Sequence, residues 1–227
     1  MTGSVLQQAI QIALMVLAFV PAIVLHECAH GFMAYKLGDN TAKSAGRLTL
    51  NPLAHIDPFG TVLLPAILIG LSVIGANSMI FGYAKPVPYN PRYFKDIRKG
   101  ELLVGLAGPA SNILMALAGA AIAWLGDWVY LSAPDLGVYI WYFGVYFTQV
   151  NLALAFFNLI PLPPLDGSSI IAPFLSDSAL RVYYKVQRYS MFILMLLILV
   201  LPSIIHFDVI GWYLQITAGN IANLILP

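Results

Sequence analysis

Two histidines and a glutamate stand together near the end of the first apolar stretch, in the order His26-Glu27-Cys28-Ala29-His30. Residues four apart on a helix share a face, with Cβ atoms about 5–6 Å apart, so both imidazoles can bind one metal ion. Glu27 then lies beside that ion, where its carboxylate can act as general base towards a metal-activated water. The pattern predicts a hydrolytic metal site that favours Zn²⁺, although Co²⁺ or Mn²⁺ would fit the same ligands in vitro. Cys28 points to a different helix face, which indicates a packing role.

A catalytic zinc site needs a third protein ligand and an open position for water. The candidates near apolar stretches are Asp57, His55, Asp166 and His206. Asp166 is the best of these, because the prolines before it break a helix and can direct the carboxylate inward. A plain turn at Asp166-Gly167 is the competing interpretation. The ligand role is favoured because the predicted topology puts the histidines and Asp166 at one depth in the membrane.

The composition points to a membrane protein. Of the 227 residues, 60% are hydrophobic and only 9% are charged, a balance that a soluble domain does not need. No polar segment is long enough for a separate soluble domain, so residues 1–227 are predicted to form a single membrane-embedded domain. A net charge of +1 gives no electrostatic case for nucleic acid. Ionisable groups at membrane depth cost about 2.5–3.5 kcal/mol each, so the histidine and glutamate cluster calls for a partner such as a metal.

The sequence predicts an all-α polytopic membrane protein with about five full transmembrane helices. Its apolar runs are 5–24, 59–81, 102–125, 138–160, 191–205 and 209–226. The run 59–81 is interrupted by Pro65, Gly70 and other polar or small residues that weaken a lipid-facing helix. We therefore expect a re-entrant or broken hairpin there.

Basic residues set the predicted orientation. All 11 Lys and Arg fall in three connectors, and the other connectors carry Asp127, Asp135 and Asp208 and no Lys or Arg. The positive-inside rule makes the three basic connectors cytoplasmic, with an outside N-terminus and a cytoplasmic C-terminus. Two of them flank the run 59–81, so that run must enter and leave on the same side. The metal site then faces the cytoplasmic side.

Two connectors carry patterns of β structure. The alternation in 47–53 favours a short edge strand that could pair with an extended substrate. Residues 83–88 could form a second edge, since Pro86 and Pro88 suit a strand that need not donate every hydrogen bond. The alternative is that both segments are plain connectors.

Three ordered motifs together resemble the site-2 protease family of intramembrane metalloproteases. They are His26 to His30, Gly108-Pro109-Ala110-Ser111-Asn112, and the segment 158–167 that ends in Pro-Pro-Leu-Asp-Gly. The similarity covers most of the chain and extends to 50–60 and 81–88, which resemble the compact prokaryotic branch without PDZ or CBS domains.

The resemblance implies that His26, His30 and Asp166 bind zinc and that Glu27 is catalytic. It implies regulated intramembrane proteolysis in the lipid bilayer of a cell membrane, with transmembrane segments of other proteins as substrates.

Three further polar residues are candidates for roles near the site. The Asn112 amide could donate to the developing oxyanion or hold the substrate backbone, a role that the resemblance favours. Asn158 could act likewise, or it could make only an interhelical hydrogen bond. His55 could support a ligand, contact substrate or lie in a solvated loop, and we place it near the site.

Two other functions would use the same ligands. A metal transporter needs a path to both sides, whereas the outer half of this chain offers few ligands, which argues against translocation. A non-proteolytic metal-binding scaffold does not need the intact Glu27.

Overall fold

The computed structural model describes residues 2–63, 66, 67, 70 and 83–227. Within that part of the chain every regular element is helical and no strand forms, which confirms the all-α prediction. The α-helices are α1 (Thr2–Lys36), α2 (Thr41–Ser44), α3 (Ile97–Tyr130), α4 (Pro134–Asn158), α5 (Asp166–Ile171), α6 (Asp177–Gln187), α7 (Ser190–Met195), α8 (Leu201–Ile205), α9 (Val209–Leu214) and α10 (Asn220–Ile225). Short 3₁₀ turns occupy Pro52–His55, Pro91–Tyr93 and Ala172–Phe174. Turns of π-helix occupy Pro58–Leu63, Leu196–Val200 and Gln215–Gly219.

Three described helices are long and apolar enough to cross a membrane. They are Ala9–Lys36 within α1, then α3 and α4, and a bent pair formed by Ser178–Gln187 and Ser190–Ile205 raises the number to four if it counts as one span. The helical stretches 190–205 and 209–225 are each shorter than the about 20 residues of a full crossing. The expected count of about five spans therefore stays a prediction.

The predicted hairpin falls mostly outside the described residues. Residues 58–63 form a π-helical turn, and the rest of 59–81, apart from 66, 67 and 70, is not described. The predicted edge segments 47–53 and 83–88 are described and contain no strand. From the segment 83–88, the Tyr83 amide donates to the Gly60 carbonyl at 3.0 Å and the Lys85 amide donates to the His55 carbonyl at 2.9 Å, and these two bonds do not make a ladder.

The centre of the molecule is the pair α3 and α4, with α1 packed against both. Small residues bring the α3 and α4 backbones together: a Cβ on Gly126 would lie 2.7 Å from Trp141 Cα, and one on Gly144 would lie 2.7 Å from Ala123 Cα. Close backbone approach of this kind is what stabilises helix pairs in lipid, where apolar side chains gain little by leaving the bilayer. Large apolar side chains such as Leu114 and Trp128 point outward and stay exposed, as lipid-facing residues do.

A buried carboxylate fixes the connector that follows α1. Asp39 accepts hydrogen bonds from the Thr41 amide at 2.9 Å, the Thr41 hydroxyl at 2.5 Å and the Asn90 amide at 2.6 Å. Burial alone would raise the pKa of Asp39, but these three donors hold that pKa below its usual value. The connector after α1 is thereby attached to the segment that leads into α3.

We expect Asp39→Asn to lower the free energy of unfolding by about 2 kcal/mol at pH 7, because a neutral amide accepts more weakly from these donors. The folded-state pKa lies below the unfolded one, so this contribution is present above the unfolded pKa and is lost as pH falls. Thermal unfolding in detergent from pH 7 down to pH 3 should show the two proteins converging at acid pH. A constant difference across that range would contradict the assignment.

Candidate metal centre

The two histidines lie on one buried face of α1. His26 and His30 are 6% and 8% exposed, and the helix continues past them to Lys36. The helical spacing predicted for the motif is therefore present. Asp166 is the first residue of α5, after the break that ends α4 at Asn158.

The structure brings these three side chains together. The Nε2 atoms of His26 and His30 lie 3.0 Å apart, and Asp166 Oδ2 lies 3.1 Å from the first and 3.2 Å from the second. They are the only group of three or more potential ligands that converges in this way among the described residues. Of the four candidates for a third ligand, Asp166 is the one in reach.

Each imidazole is oriented through its other nitrogen. His30 Nδ1 donates to the Val104 carbonyl at 2.7 Å, and because a carbonyl only accepts, this nitrogen carries the hydrogen. His26 Nδ1 donates to Asn112 Oδ1 at 2.5 Å, while the amide nitrogen of Asn112 donates elsewhere. In the neutral imidazoles, both Nε2 atoms are consequently acceptors.

Three acceptors thus face one another with no hydrogen to share. Asp166 Oδ2 is buried and has no hydrogen-bond partner. A cation held between the two imidazoles and the carboxylate satisfies all three atoms at once. A tetrahedral site with bonds of about 2.0–2.2 Å separates its ligand atoms by about 3.3–3.6 Å. The observed 3.0–3.2 Å is close to this, so the residues fit a zinc-sized ion.

Helix α3 leaves room for the two rings because it has no side chain at Gly108. A Cβ there would meet the ring of His30 and would lie 2.6 Å from His26 Cε1. The same helix supplies Val104 and Asn112, one turn before and one turn after this position. One face of α3 therefore makes the space for both imidazoles and orients them.

Two close backbone contacts place Asp166. A Cβ on Gly105 would lie 3.2 Å from the Asp166 carbonyl oxygen, so α5 rests directly on α3. Gly167 lies against the carbonyls of Leu159 and Ile160, where a side chain would not fit. The predicted helix break is present, since α4 ends at Asn158 and α5 begins at Asp166.

Glu27 is held from the other side by a connector. The Val87 amide donates to Glu27 Oε2 at 2.8 Å. That connector is fixed in turn, since Arg47 Nη2 donates to the Lys85 carbonyl at 2.6 Å and the Lys85 amide donates to His55. Residues 83–88 thus do not form the predicted strand, but they contact the glutamate of the motif directly.

Asn112 is fully buried, and its hydrogen bonds are all made within the protein. Besides accepting from His26, it donates to Asn151 Oδ1 at 2.8 Å and to the Ala22 carbonyl at 3.3 Å. These contacts favour orientation of His26 over the expected donation to an oxyanion. Asn151 was missed by the sequence analysis, although a polar amide inside the apolar run 138–160 was a usable signal.

The remaining candidates are not among the converging ligand residues. Asn158 donates to the Leu154 carbonyl of its own helix at 3.0 Å. His55 is buried and lies 2.9 Å from the Thr49 carbonyl, which also accepts from the Cys28 thiol at 3.1 Å. Asp57 caps the turn that begins at Pro58. His206 ends α8 in the left-handed region, with φ of 51°.

Comparisons with known proteins identify relatives that are named as zinc metalloproteases. The family model for peptidase family M50 matches residues 132–201. The Bacillus subtilis protein YwhC, named provisionally as a zinc metalloprotease, is 39% identical over 191 residues, or 83% of this chain and 80% of that protein. Rip2 of Mycolicibacterium smegmatis, named in the same way, is 26% identical over 202 residues, or 88% of this chain and 72% of that protein. No solved structure matches.

Gly108→Ala should weaken metal binding about tenfold or more, because the added methyl group overlaps the rings of His26 and His30. Gly119→Ala on the same helix is the matched control, since its methyl group would instead meet Thr148 on α4, 2.7 Å from Oγ1. Metal content of the purified proteins and competition with a chromophoric chelator would measure the difference. Equal loss in both variants would mean that the effect is general misfolding.

Proposed function

This chain belongs to peptidase family M50, the site-2 protease family, and we propose that it cleaves peptide bonds in or near the transmembrane segments of other membrane proteins. Its apolar helices and its family make it a multi-pass membrane metalloprotease. The observation that carries the proposal is the convergence of His26, His30 and Asp166 at 3.0–3.2 Å beside Glu27.

We assign His26, His30 and Asp166 as the zinc ligands. Bound zinc supplies a Lewis acid and lowers the pKa of a water molecule in its open position. The donor set supports this assignment because two imidazoles and a carboxylate are usual zinc ligands. Val104 and Asn112 hold the rings so that both Nε2 atoms face inward, as outer partners of ligand histidines do.

Glu27 is the general base in this proposal. It accepts the proton of the attacking water and returns it to the leaving amine nitrogen, so one carboxylate serves both halves of the hydrolysis. The Val87 amide fixes one carboxylate oxygen and limits the rotamers of this side chain. This residue stands next to His26 on α1, which keeps base and ligand on one rigid element.

An extended substrate can pair with the segment Leu48 to Leu50. In the described part of the chain, no hydrogen bond is made by the amides of Leu48, Thr49 and Leu50. An apolar cavity of about 510 Å³ lies alongside and is lined by side chains that include Leu25, Phe32 and Leu114. Free amides next to an apolar cavity suit the backbone and side chains of an unwound transmembrane segment. The β character of this edge would then arise only when substrate binds.

The finer topology also belongs to this proposal. Five full crossings with cytoplasmic basic connectors would place the metal centre towards the cytoplasmic side of a prokaryotic cell membrane. The positions of Lys36, at the end of the motif helix, and of Arg92 and Lys95 before α3 support this orientation.

Glu27→Gln should abolish cleavage of single-span substrates in liposomes, with at least about a 1000-fold loss of rate, while zinc content is retained. Glutamine keeps an acceptor for the Val87 amide but cannot take a proton. Glu101→Gln, at the chain's other glutamate, is the matched control and should cleave like the wild type. If the wild type and both variants bind zinc and none cleaves, the transporter or scaffold alternatives are favoured. Measurement of zinc flux across the liposomes would then distinguish a transporter from a scaffold.

Leu50→Pro should raise KM about tenfold with little change in kcat, since proline removes one amide that the substrate backbone would use. Leu50→Ala removes the same apolar side chain but keeps the amide, so it isolates the backbone contribution. Steady-state cleavage of one substrate by both variants gives the comparison. Identical KM values for the proline and alanine variants would exclude pairing through this amide.

A further inference from the structure

Helix α6 and its C-cap residue carry three cations on the outer side. Arg181, Lys185 and Arg188 are spaced by four and three residues, so they share one face, and all three are exposed. Among the described side chains, no carboxylate lies within 4.0 Å of any of them. The segment 177–205 contains a single acidic residue, Asp177. We call Arg181, Lys185 and Arg188 the basic face.

Exposed apolar side chains border the basic face on both sides. Val182 and Tyr189 lie on one side at 60% and 62% exposure, and Tyr184 lies on the other at 53%. Phe174, in the turn before α6, is 74% exposed. Aromatic side chains next to cations are typical of the membrane–water boundary, where the ring is buried among acyl chains and the charge stays at the headgroups.

The bend after α6 sets its angle to the bilayer. The helix Ser178–Gln187 makes an angle of 72° with the apolar stretch Ser190–Ile205. An apolar stretch of that kind inserts into the hydrocarbon region, so α6 lies close to the plane of the membrane. Its basic face is then at headgroup depth instead of in bulk water.

We propose that the basic face of α6 binds the anionic headgroups of phospholipids. Its three cations match the negative charge of such lipids, and the flanking Val182, Tyr184 and Tyr189 match the boundary with the acyl chains. An acidic protein segment would be attracted by the same charges, but it would leave these apolar side chains without an apolar partner.

The opposite side of α6 contacts the turn that carries Asp166. The Tyr183 hydroxyl donates to Ser168 Oγ at 3.2 Å, and Ser168 Oγ donates to the Leu165 carbonyl at 2.6 Å. Leu165 and Ser168 are on either side of the carboxylate assigned to the metal. Headgroups bound to α6 therefore hold in place the element that supports this turn.

The test measures lipid retention and does not depend on proteolysis. The full chain, purified in detergent, is mixed with phosphatidylglycerol or phosphatidylcholine, and bound lipid is counted by native mass spectrometry. Replacement of Arg181, Lys185 and Arg188 by glutamine should weaken phosphatidylglycerol binding at least about tenfold and leave phosphatidylcholine binding unchanged. The matched control replaces Arg92, Lys95 and Lys99, three exposed cations outside α6, by glutamine and should bind like the wild type.

Hydrogen exchange in nanodiscs gives a second measurement. Phosphatidylglycerol should slow exchange in 178–189 relative to phosphatidylcholine, and the α6 triple variant should lose this protection. The proposal would be overturned if the α6 triple variant binds phosphatidylglycerol as well as the wild type does. It would also be overturned if both triple variants lose phosphatidylglycerol binding to the same extent. Displacement of phosphatidylglycerol by an acidic peptide, without displacement by a neutral one, would assign the face to a protein partner instead.

Discussion

The convergence of three hydrogen-bond acceptors in the interior of a membrane protein is the constraint on which the rest of the structure depends. With both imidazoles neutral, His26 Nε2, His30 Nε2 and Asp166 Oδ2 cannot satisfy one another, because each then offers a lone pair and none offers a hydrogen. In a low-dielectric interior such an arrangement is strongly unfavourable without a cation. The packing around these atoms can therefore be understood as the means of keeping them together.

Helix α3 is the main part of that packing. It accepts a hydrogen from His30 through Val104, accepts one from His26 through Asn112, and leaves space for both rings at Gly108. Helix α5 also packs against α3 at Gly105, and this contact fixes the position of Asp166. These contacts and the close pairing of α3 with α4 explain why α3 has glycines and a fully buried Asn112 at these positions. The glycines are needed for space and not for an unusual backbone conformation.

Much of the candidate site could be predicted from the sequence because it depends on short-range sequence patterns. The spacing of His26 and His30 implies a shared helix face, and the prolines before Asp166 imply a helix break. Contacts between residues distant in sequence could not be predicted. The Val104 carbonyl belongs to the backbone, so the residue type does not indicate that it accepts from His30. The bond from Asn112 to Asn151 depends on how α3 and α4 pair. The edge strand at 47–53 was predicted from alternation and the one at 83–88 from its prolines, and neither signal supplies the neighbouring strand that a ladder requires. The helical stretches 190–205 and 209–225 follow the apolar runs 191–205 and 209–226 closely, so composition located these elements well.

The wide separation of the ligands along the chain has a consequence for biosynthesis. His26 and His30 belong to the first helix, whereas Asp166 follows the long α3 and α4 pair. A nascent chain that has inserted only its first helix offers two of the three proposed ligands and lacks Asp166, so the full ligand set forms only when α5 has docked. Retention of the proposed ion would therefore report on helix assembly, because the three ligands come together only in molecules whose α5 has docked on α3.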